Sequence, residues 1–464
     1  MKFRPRAYQK RIIDSQDMFI SNNDVTRGTI LAATGAGKTE CFNDLIRKMF
    51  LIGEITNRKR RILICHPRIA LSQNQQKRMV KRLVDLHVEF TSFHSGTQRY
   101  HTLADRKNVS TTNRDELVKI MNESVGHHIT FASYKSLAKI ADLNFDLIIC
   151  DEAHNLVQAD LRECLTLFKS KVLFYTGTPV KVAAQEESMD NIELFGEILT
   201  EVPASELIPF GYVVPPRLRT INIKNRTVGD TPDYSTCIAE SFKDQLSFSH
   251  KKFVHKMLVA MPSTLAFNDI MADLSKIRRI IGNKNVDIYY ITSDTQVKNG
   301  RVLADREFAL EDFDTNPHPC IIIHCDTLAE GIDVDGIGGV LIMRGLGMTK
   351  AIQTIGRAAR PSILDIKKNG EIKKNRVKKE CIVTLARIDG DWCGDTTIAE
   401  WANMFRVAGY GDIWDFCHPE PSQRGPGGEL QEAHDPMYDE VEKIRFTDGV
   451  DRLWNDLFGE ESNA

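Results

Sequence analysis

The chain has 464 residues, with 61 Lys+Arg against 63 Asp+Glu and a formal net charge of −2. That near-neutral total argues against a simple basic nucleic-acid-binding domain. A hydrophobic fraction of 42% and a charged fraction of 27% fit a folded globular protein and exclude disordered, collagen-like and coiled-coil chains.

No apolar run reaches the ~18 residues that a membrane span needs, and MKFRPRAYQK shows no secretory h-region, so no membrane contact is expected. The ten cysteines form no CxxC pair, and most lie in apolar strand-like runs where a buried free thiol is the plain reading. Cys393, Cys417 and His418 fit no zinc spacing. The charge is unevenly spread. Residues 1–88 hold 18 Lys+Arg and 7 Asp+Glu, a net of +11, whereas residues 419–464 hold 4 and 12, a net of −8. All four Trp (392, 401, 414 and 454) fall near the C-terminal end. A basic front and an acidic, Trp-bearing end suggest different surfaces and different partners, a protein partner for the acidic end among them.

In chain order, short apolar runs alternate with amphipathic stretches. Strands are expected at Gly28–Ala33, Arg61–His66, Ile129–Ser133, Leu147–Cys150 and Val172–Thr176. Helices are expected at Lys38–Leu51 and Ala70–Leu86, and another opens at Asn113 with Glu116 at N3. Residues 203–250, with Pro203, Pro209, Pro215 and Pro216 and few long apolar runs, read as a junction. A second series follows, with strands at Lys256–Ala260, Val286–Ile291, Cys320–Cys325, Gly339–Met343 and Cys381–Leu385 and helices at Ser263–Ile277 and Val302–Asp312. Strands separated by helices imply parallel βαβ units, so the fold class is α/β, in two tandem blocks. Asp365–Glu380 carries seven Lys+Arg around an Asn-Gly turn and reads as a basic β-hairpin.

Ala32–Thr39, AATGAGKT, follows the first strand and opens a helix. Small residues there let backbone N–H groups of Thr34, Gly35, Ala36 and Gly37 fold around an anion at a helix N-terminus. Lys38 would reach the β- and γ-phosphates and the Thr39 hydroxyl would ligate Mg²⁺. Ala32 stands where the phosphate-loop pattern has its first Gly. Leu147–His154, LIICDEAH, is an apolar strand ending in two carboxylates. Asp151 can hold the Mg²⁺ water shell, Glu152 can orient and deprotonate an attacking water, and His154 can link the site to a neighbouring element. In AIQTIGRAAR, Arg357 and Arg360 are three apart and would share a helix face, able to meet charge developing on a γ-phosphate.

Taken together, these stretches resemble superfamily 2 helicases and translocases over Arg6 to about Pro361. RAYQ resembles the adenine-reading segment, AATGAGKT motif I, CHPRIAL motif Ia, FASYKSL motif Ib, DEAH motif II and TGTP motif III. LVAMPST resembles motif IV, DTLAEGIDV motif V and QTIGRAAR motif VI. The resemblance implies two RecA-like domains with parallel sheets, at 1–210 and 211–390, with ATP in the cleft between them, and a small acidic C-terminal extension at 391–464. It implies adenine recognition by Arg6 and Gln9, and phosphates and Mg²⁺ held by Lys38, Thr39 and Asp151. Glu152 would handle water, and Thr176 and Thr178 would couple hydrolysis to movement. Gly331 and Asp333 would line the cleft, completed by Gln353, Arg357 and Arg360. Pro67, Arg68, Ser133, Ser263 and Thr327 fall where the family touches the nucleic-acid backbone, a largely sequence-independent and salt-sensitive contact.

Within the superfamily, RAYQ, DEAH, TGTP, EGID and the junction ELIPFGYVVPP look most like the group of phage UvsW-type recombination helicases, XPB-like helicases and restriction-enzyme translocases. That resemblance implies an ATP-dependent motor acting on single-stranded, duplex or branched DNA in recombination, repair or replication. A cytoplasmic setting, in a bacterial cell or phage-infected host, fits it. An RNA helicase, the motor subunit of a restriction-type complex and an ATP-switched binding module stay open at this point.

Overall fold

The computed structural model describes residues 3–95, 108–181, 184, 187–223, 233–249, 253–264, 267–292, 294–325, 336–361, 363–368, 371–376, 381–388, 391–392, 401, 404–405 and 410. The chain divides into two compact units, Met1–Pro203 and Ala204–Ala464.

The first unit is built on strands β1 (Arg27–Ala32), β2 (Arg61–His66), β3 (Val88–Phe93), β4 (Asn108–Thr111), β5 (His127–Ser133), β6 (Leu147–Asp151), β7 (Val172–Thr176) and β8 (Glu197–Val202). They form one sheet in the order β4-β3-β5-β2-β6-β7-β1-β8, and every pairing is parallel. The expected strands all fall in this sheet, while β3, β4 and β8 escaped the apolar-run criterion. Parallel strands of this kind are covered on both faces, which is why β2, β5, β6 and β7 are buried almost throughout. Five helices, α1 (Ala7–Ser21), α2 (Lys38–Ile55), α3 (Ile69–Arg82), α4 (Arg114–Glu123) and α5 (Ala159–Thr166), lie along the connections. In α2, Cys41, Phe42, Leu45, Ile46, Met49 and Phe50 recur at helical spacing and are buried. The Asn113 side chain caps α4 by accepting from the Asp115 and Glu116 N–H groups, as its sequence signature implies.

The second unit continues with β9 (Pro216–Ile223), β10 (Lys256–Ala260), β11 (Asp287–Ile291), β12 (Gln296–Lys298), β13 (Arg301–Val302), β14 (Cys320–His324), β15 (Ile337–Ile342), β16 (Ile363–Lys368), β17 (Glu371–Arg376), β18 (Cys381–Ile388) and β19 (Asp391–Trp392). Its main sheet runs β13-β12-β11-β14-β10-β15-β18-β19, with β9 paired to β18. The segments β11, β14, β10, β15, β18 and β9 pair in parallel, and β12, β13 and β19 add antiparallel pairings. Residues 203–250 are therefore more than a junction. They supply β9, whose alternation RLRTINI is a half-buried strand pattern, and the core helix Tyr234–Phe248. The stretch Ser263–Ile277 holds parts of two helices, Phe267–Ala272 and Leu274–Ile281, and the helix expected from Val302 begins at Arg306. The strands β16 and β17 pair antiparallel, Lys368 opposite Glu371, as a separate two-stranded sheet. The Asn-Gly turn itself lies outside the described residues, as do most of residues 391–464, including Cys393, Cys417 and His418. Among the described residues no helix is long and apolar enough to cross a membrane.

Candidate ATP site and nucleic-acid edge

Parallel strands bring their carboxyl ends to one edge, and in open α/β sheets ligands bind there. On that edge of the first sheet stand the phosphate loop after β1, Pro67 and Arg68 after β2, Ser133 at the end of β5, Asp151 at the end of β6 and Thr176 at the end of β7. The pairs Leu31↔Thr176 and Asp151↔Tyr175 set motifs I, II and III on three adjacent strands.

The loop takes the shape that its glycines permit. Gly35 and Gly37 have φ of 90° and 82°, left-handed values that other residues adopt at a cost. Gly37 is the N-cap of α2, so the first N–H groups of that helix open toward the loop. Arg6 and Gln9 begin α1, where the Gln9 side chain accepts from the Arg6 N–H at 3.0 Å. Gln9 Nε2 donates to the Ala36 carbonyl at 3.1 Å, and a Cβ on Gly37 would stand 2.6 Å from that nitrogen. The RAYQ segment is thereby tied to the AATGAGKT loop. Lys38 is buried and its Nζ donates to the Ala32 carbonyl at 2.8 Å. Gly177 of TGTP leans on the same group. A Cβ there would meet Ala32 O at 2.8 Å, Thr34 N at 3.2 Å and Lys38 Nζ at 3.3 Å.

Asp151 accepts from the Glu152 N–H at 3.1 Å, and the Tyr134 hydroxyl donates to the Asp151 carbonyl at 2.6 Å. Burial, with the Glu152 charge adding, pushes the Asp151 carboxyl up to about 7, against the pull of Lys38. Glu152 itself has φ 54° and ψ 49°, an uncommon conformation for a residue with a Cβ. It opens the short 3₁₀ turn Ala153–Val157, where Asn155 Nδ2 donates to the Glu152 carbonyl at 3.0 Å.

His154 is the link to motif III. Its Nδ1 lies 2.9 Å from Thr176 Oγ1, 3.1 Å from Thr178 Oγ1 and 3.5 Å from Glu152 Oε2. The Asn155 amide nitrogen stands 3.0 Å from Nε2, which puts the proton of a neutral ring on Nδ1. The Thr178 N–H donates to Thr176 Oγ1 at 3.0 Å, closing the network.

The donor set suits Mg²⁺. A hydroxyl and a carboxylate are hard oxygen ligands, and this ion keeps several waters and leans on substrate phosphates. Among the described residues no group of three or more His, Cys, Asp or Glu is placed to hold a metal ion by itself.

The remaining expected residues fall on the following elements. Pro67 and Arg68 lead into α3, with Arg68 as its N-cap, and Ser133 Oγ lies 3.0 Å from Ser136 Oγ. Ser263 follows β10 in the second unit, and Gln353 and Arg357 lie in the helix Met348–Ala358. That helix has Ala359 as its C-cap, so Arg360 falls beyond it and does not share a helix face with Arg357. Pro361 gives the reason, because the residue before a proline is driven out of the helical conformation. Thr327, Gly331 and Asp333 lie outside the described residues. Three contributors to the edge were absent from the sequence reading: Gly177 as a packing point, Asn155, and His66. The last is buried beside Asp151, and burial, with His94 adding, holds its ring neutral, down to about 3. Its 3.7 Å approach to Asp151 is thus no ion pair.

Residues 2–181 match the family model of the type III restriction enzyme res subunit, and residues 239–362 match that of the helicase conserved C-terminal domain. The chain belongs to the superfamily 2 helicases. This helicase is 22% identical over 373 residues to IRC3 of Saccharomyces cerevisiae, provisionally named as an ATP-dependent helicase, covering 76% of this chain and 49% of that one. It is 30% identical over 90 residues to the human DNA repair and recombination protein RAD54B, covering 18% and 10% of the two chains. The helicase thus spans about half the length of the first curated relative and a tenth of the second. Solved structures that share its fold include two from restriction enzymes. The ATP-dependent type ISP restriction-modification enzyme LlaBIII bound to DNA gives a TM-score of 0.66 at 14% identity, covering 97% of this chain and 33% of that one. A fragment of an HsdR-type subunit of a type I restriction enzyme from Vibrio vulnificus gives 0.52 at 18% identity, covering 90% and 69%.

Proposed function

We propose that the helicase couples ATP hydrolysis to movement on DNA, unwinding or remodelling duplex or branched substrates. The observation that carries this reading is the single edge of the first sheet. There the phosphate loop, Asp151, Glu152 and the His154–Thr176–Thr178 network adjoin Pro67, Arg68 and Ser133.

In this reading Lys38 leaves the Ala32 carbonyl for the β- and γ-phosphates, and Thr39 and Asp151 hold Mg²⁺. Mg²⁺ held there would supply charge neutralisation at the phosphate oxygens. Glu152 orients the attacking water and accepts its proton. Arg6 and Gln9 read the adenine, and Arg357, Arg360 and Gln353 of motif VI meet the γ-phosphate. Gly331 and Asp333 of motif V serve the nucleotide, and Thr327 of the same motif serves the nucleic acid with Pro67, Arg68, Ser133 and Ser263. A change at the γ-phosphate would reach the TGTP hydroxyls through Glu152, whose Oε2 stands 3.5 Å from His154 Nδ1, and through the hydrogen bonds of His154 to Thr176 and Thr178.

DNA is favoured over RNA by the restriction-subunit match of residues 2–181. The same match favours one second reading, a motor that works inside a restriction-type assembly. The deciding experiment measures ATPase stimulation by single-stranded, duplex, forked and four-way DNA, with single-stranded RNA alongside. Stimulation by DNA structures is expected, and stimulation by RNA alone would replace the DNA reading.

A further inference from the structure

The strand ends next to the ATP site hold one chemistry-bearing side chain without a role. In the parallel pair β2 and β6, Cys65 stands opposite Cys150, so the next residues, His66 and Asp151, project from the same face. His66 also stands opposite Ser133. The His66 side chain is 1% exposed, and neither ring nitrogen has a hydrogen-bond partner among the described residues. An imidazole buried in this way is costly unless it finds a partner in some state of the molecule.

The candidate partner faces it. His66 Nδ1 lies 3.7 Å from Asp151 Oδ2, beyond hydrogen-bonding distance, while Oδ1 accepts from the Glu152 N–H. Closing the gap takes about 0.5–1 Å, within the broad torsional freedom of an aspartate carboxylate. Carboxylates that serve a metal are generally themselves hydrogen-bonded, and that second contact fixes their orientation.

We propose that His66 is a positioning residue for Asp151, donating its Nδ1 proton to Oδ2 when the magnesium–nucleotide complex binds. The inference rests on the reading of Asp151 as the metal-facing carboxylate. A neutral ring suits the task, since it gives one proton to the carboxylate without cancelling the charge that attracts the metal.

The test measures binding. A fluorescent ADP analogue is titrated onto the full chain in EDTA, and then at fixed nucleotide with rising Mg²⁺. His66→Leu removes both ring nitrogens at similar volume. His66→Asn places an amide N–H near the Nδ1 position, and His66→Gln places it near Nε2. The expected result is that His66→Leu and His66→Gln need roughly 10–100-fold more Mg²⁺ for half-saturation, with affinity in EDTA unchanged, and that His66→Asn returns most of the response. Equal Mg²⁺ requirements in all four proteins would overturn the proposal. So would equal loss in the Asn and Gln variants, or a loss confined to EDTA affinity, because either outcome marks a packing role. Should His66→Leu fail to fold, judged by its thermal transition, the contrast between Asn and Gln carries the test. Asp151→Asn separates the two readings. It should abolish the Mg²⁺-dependent gain, and a full gain in that variant would refute the metal role of Asp151 itself.

Discussion

Gly177→Ala is a one-carbon perturbation of the contact between motif III and the phosphate loop. The glycine does not hold a left-handed conformation, so its backbone allows alanine and the effect is steric. The new Cβ would stand 2.8 Å from the Ala32 carbonyl oxygen, the same oxygen that accepts Lys38 Nζ at 2.8 Å. A carbon and an oxygen without a bond rest at about 3.3 Å or more, so the loop must open by about 0.5 Å. Overpacking of this kind costs about 1–3 kcal/mol, partly offset by the smaller entropy of the unfolded alanine chain, leaving a net loss of roughly 0.5–2 kcal/mol. For a unit of about 200 residues this lowers the thermal midpoint by about 1–8 °C. Misplacing the lysine and the loop amides by a fraction of an ångström should cut kcat by roughly 10–100-fold. The assays are DNA-stimulated ATPase and thermal unfolding of the same preparations. Wild-type kcat with an unchanged midpoint would show that motif III does not bear on the loop, and the argument would fail.

The carboxyl of Asp151, raised from its ordinary 3.8 to about 7, gives two opposed pH trends. The folded chain retains that proton where the unfolded chain has lost it, so stability without ligand falls as pH rises from about 4 to 7. Mg²⁺-dependent nucleotide affinity should instead fall as pH drops below about 7, by up to tenfold per unit, and a flat binding profile from pH ~5.5 to ~7.5 would contradict the assignment. Glu152→Gln should retain nucleotide binding and lose roughly 10²–10⁴ in ATPase rate, checked by single-turnover hydrolysis. Thr178→Val keeps the side-chain shape and removes the hydroxyl that meets His154. It should lower nucleic-acid stimulation of the ATPase more than the unstimulated rate, which paired rate measurements would resolve.

Those residues differ in how plainly the sequence announces them. The phosphate loop and the DEAH carboxylates could be read because each is a contiguous run whose chemistry needs its neighbours in the chain. The first sheet was legible where buried parallel strands are continuously apolar, as in β2 and β6. It was not legible at β3, where VEFTSF mixes polar residues into a fully buried strand. β9 was hidden in a proline-rich stretch because its alternating pattern is short. Arg360 was misassigned to the helix of Arg357 because the three-residue spacing was weighed without the proline that follows. His66 meets Asp151 only through strand register, between segments far apart in sequence, and no local pattern carries that information. The near-neutral net charge had pointed away from nucleic acid. Its uneven distribution along the chain removes that objection, since the basic front contains the phosphate loop, Pro67 and Arg68.

The most direct test of the central claim is ATP hydrolysis by the purified chain with and without DNA, beside its Lys38→Ala variant. The account predicts hydrolysis that DNA stimulates and that falls to background in the variant. Hydrolysis unaltered by Lys38→Ala, or its absence with every nucleic acid offered, would contradict it.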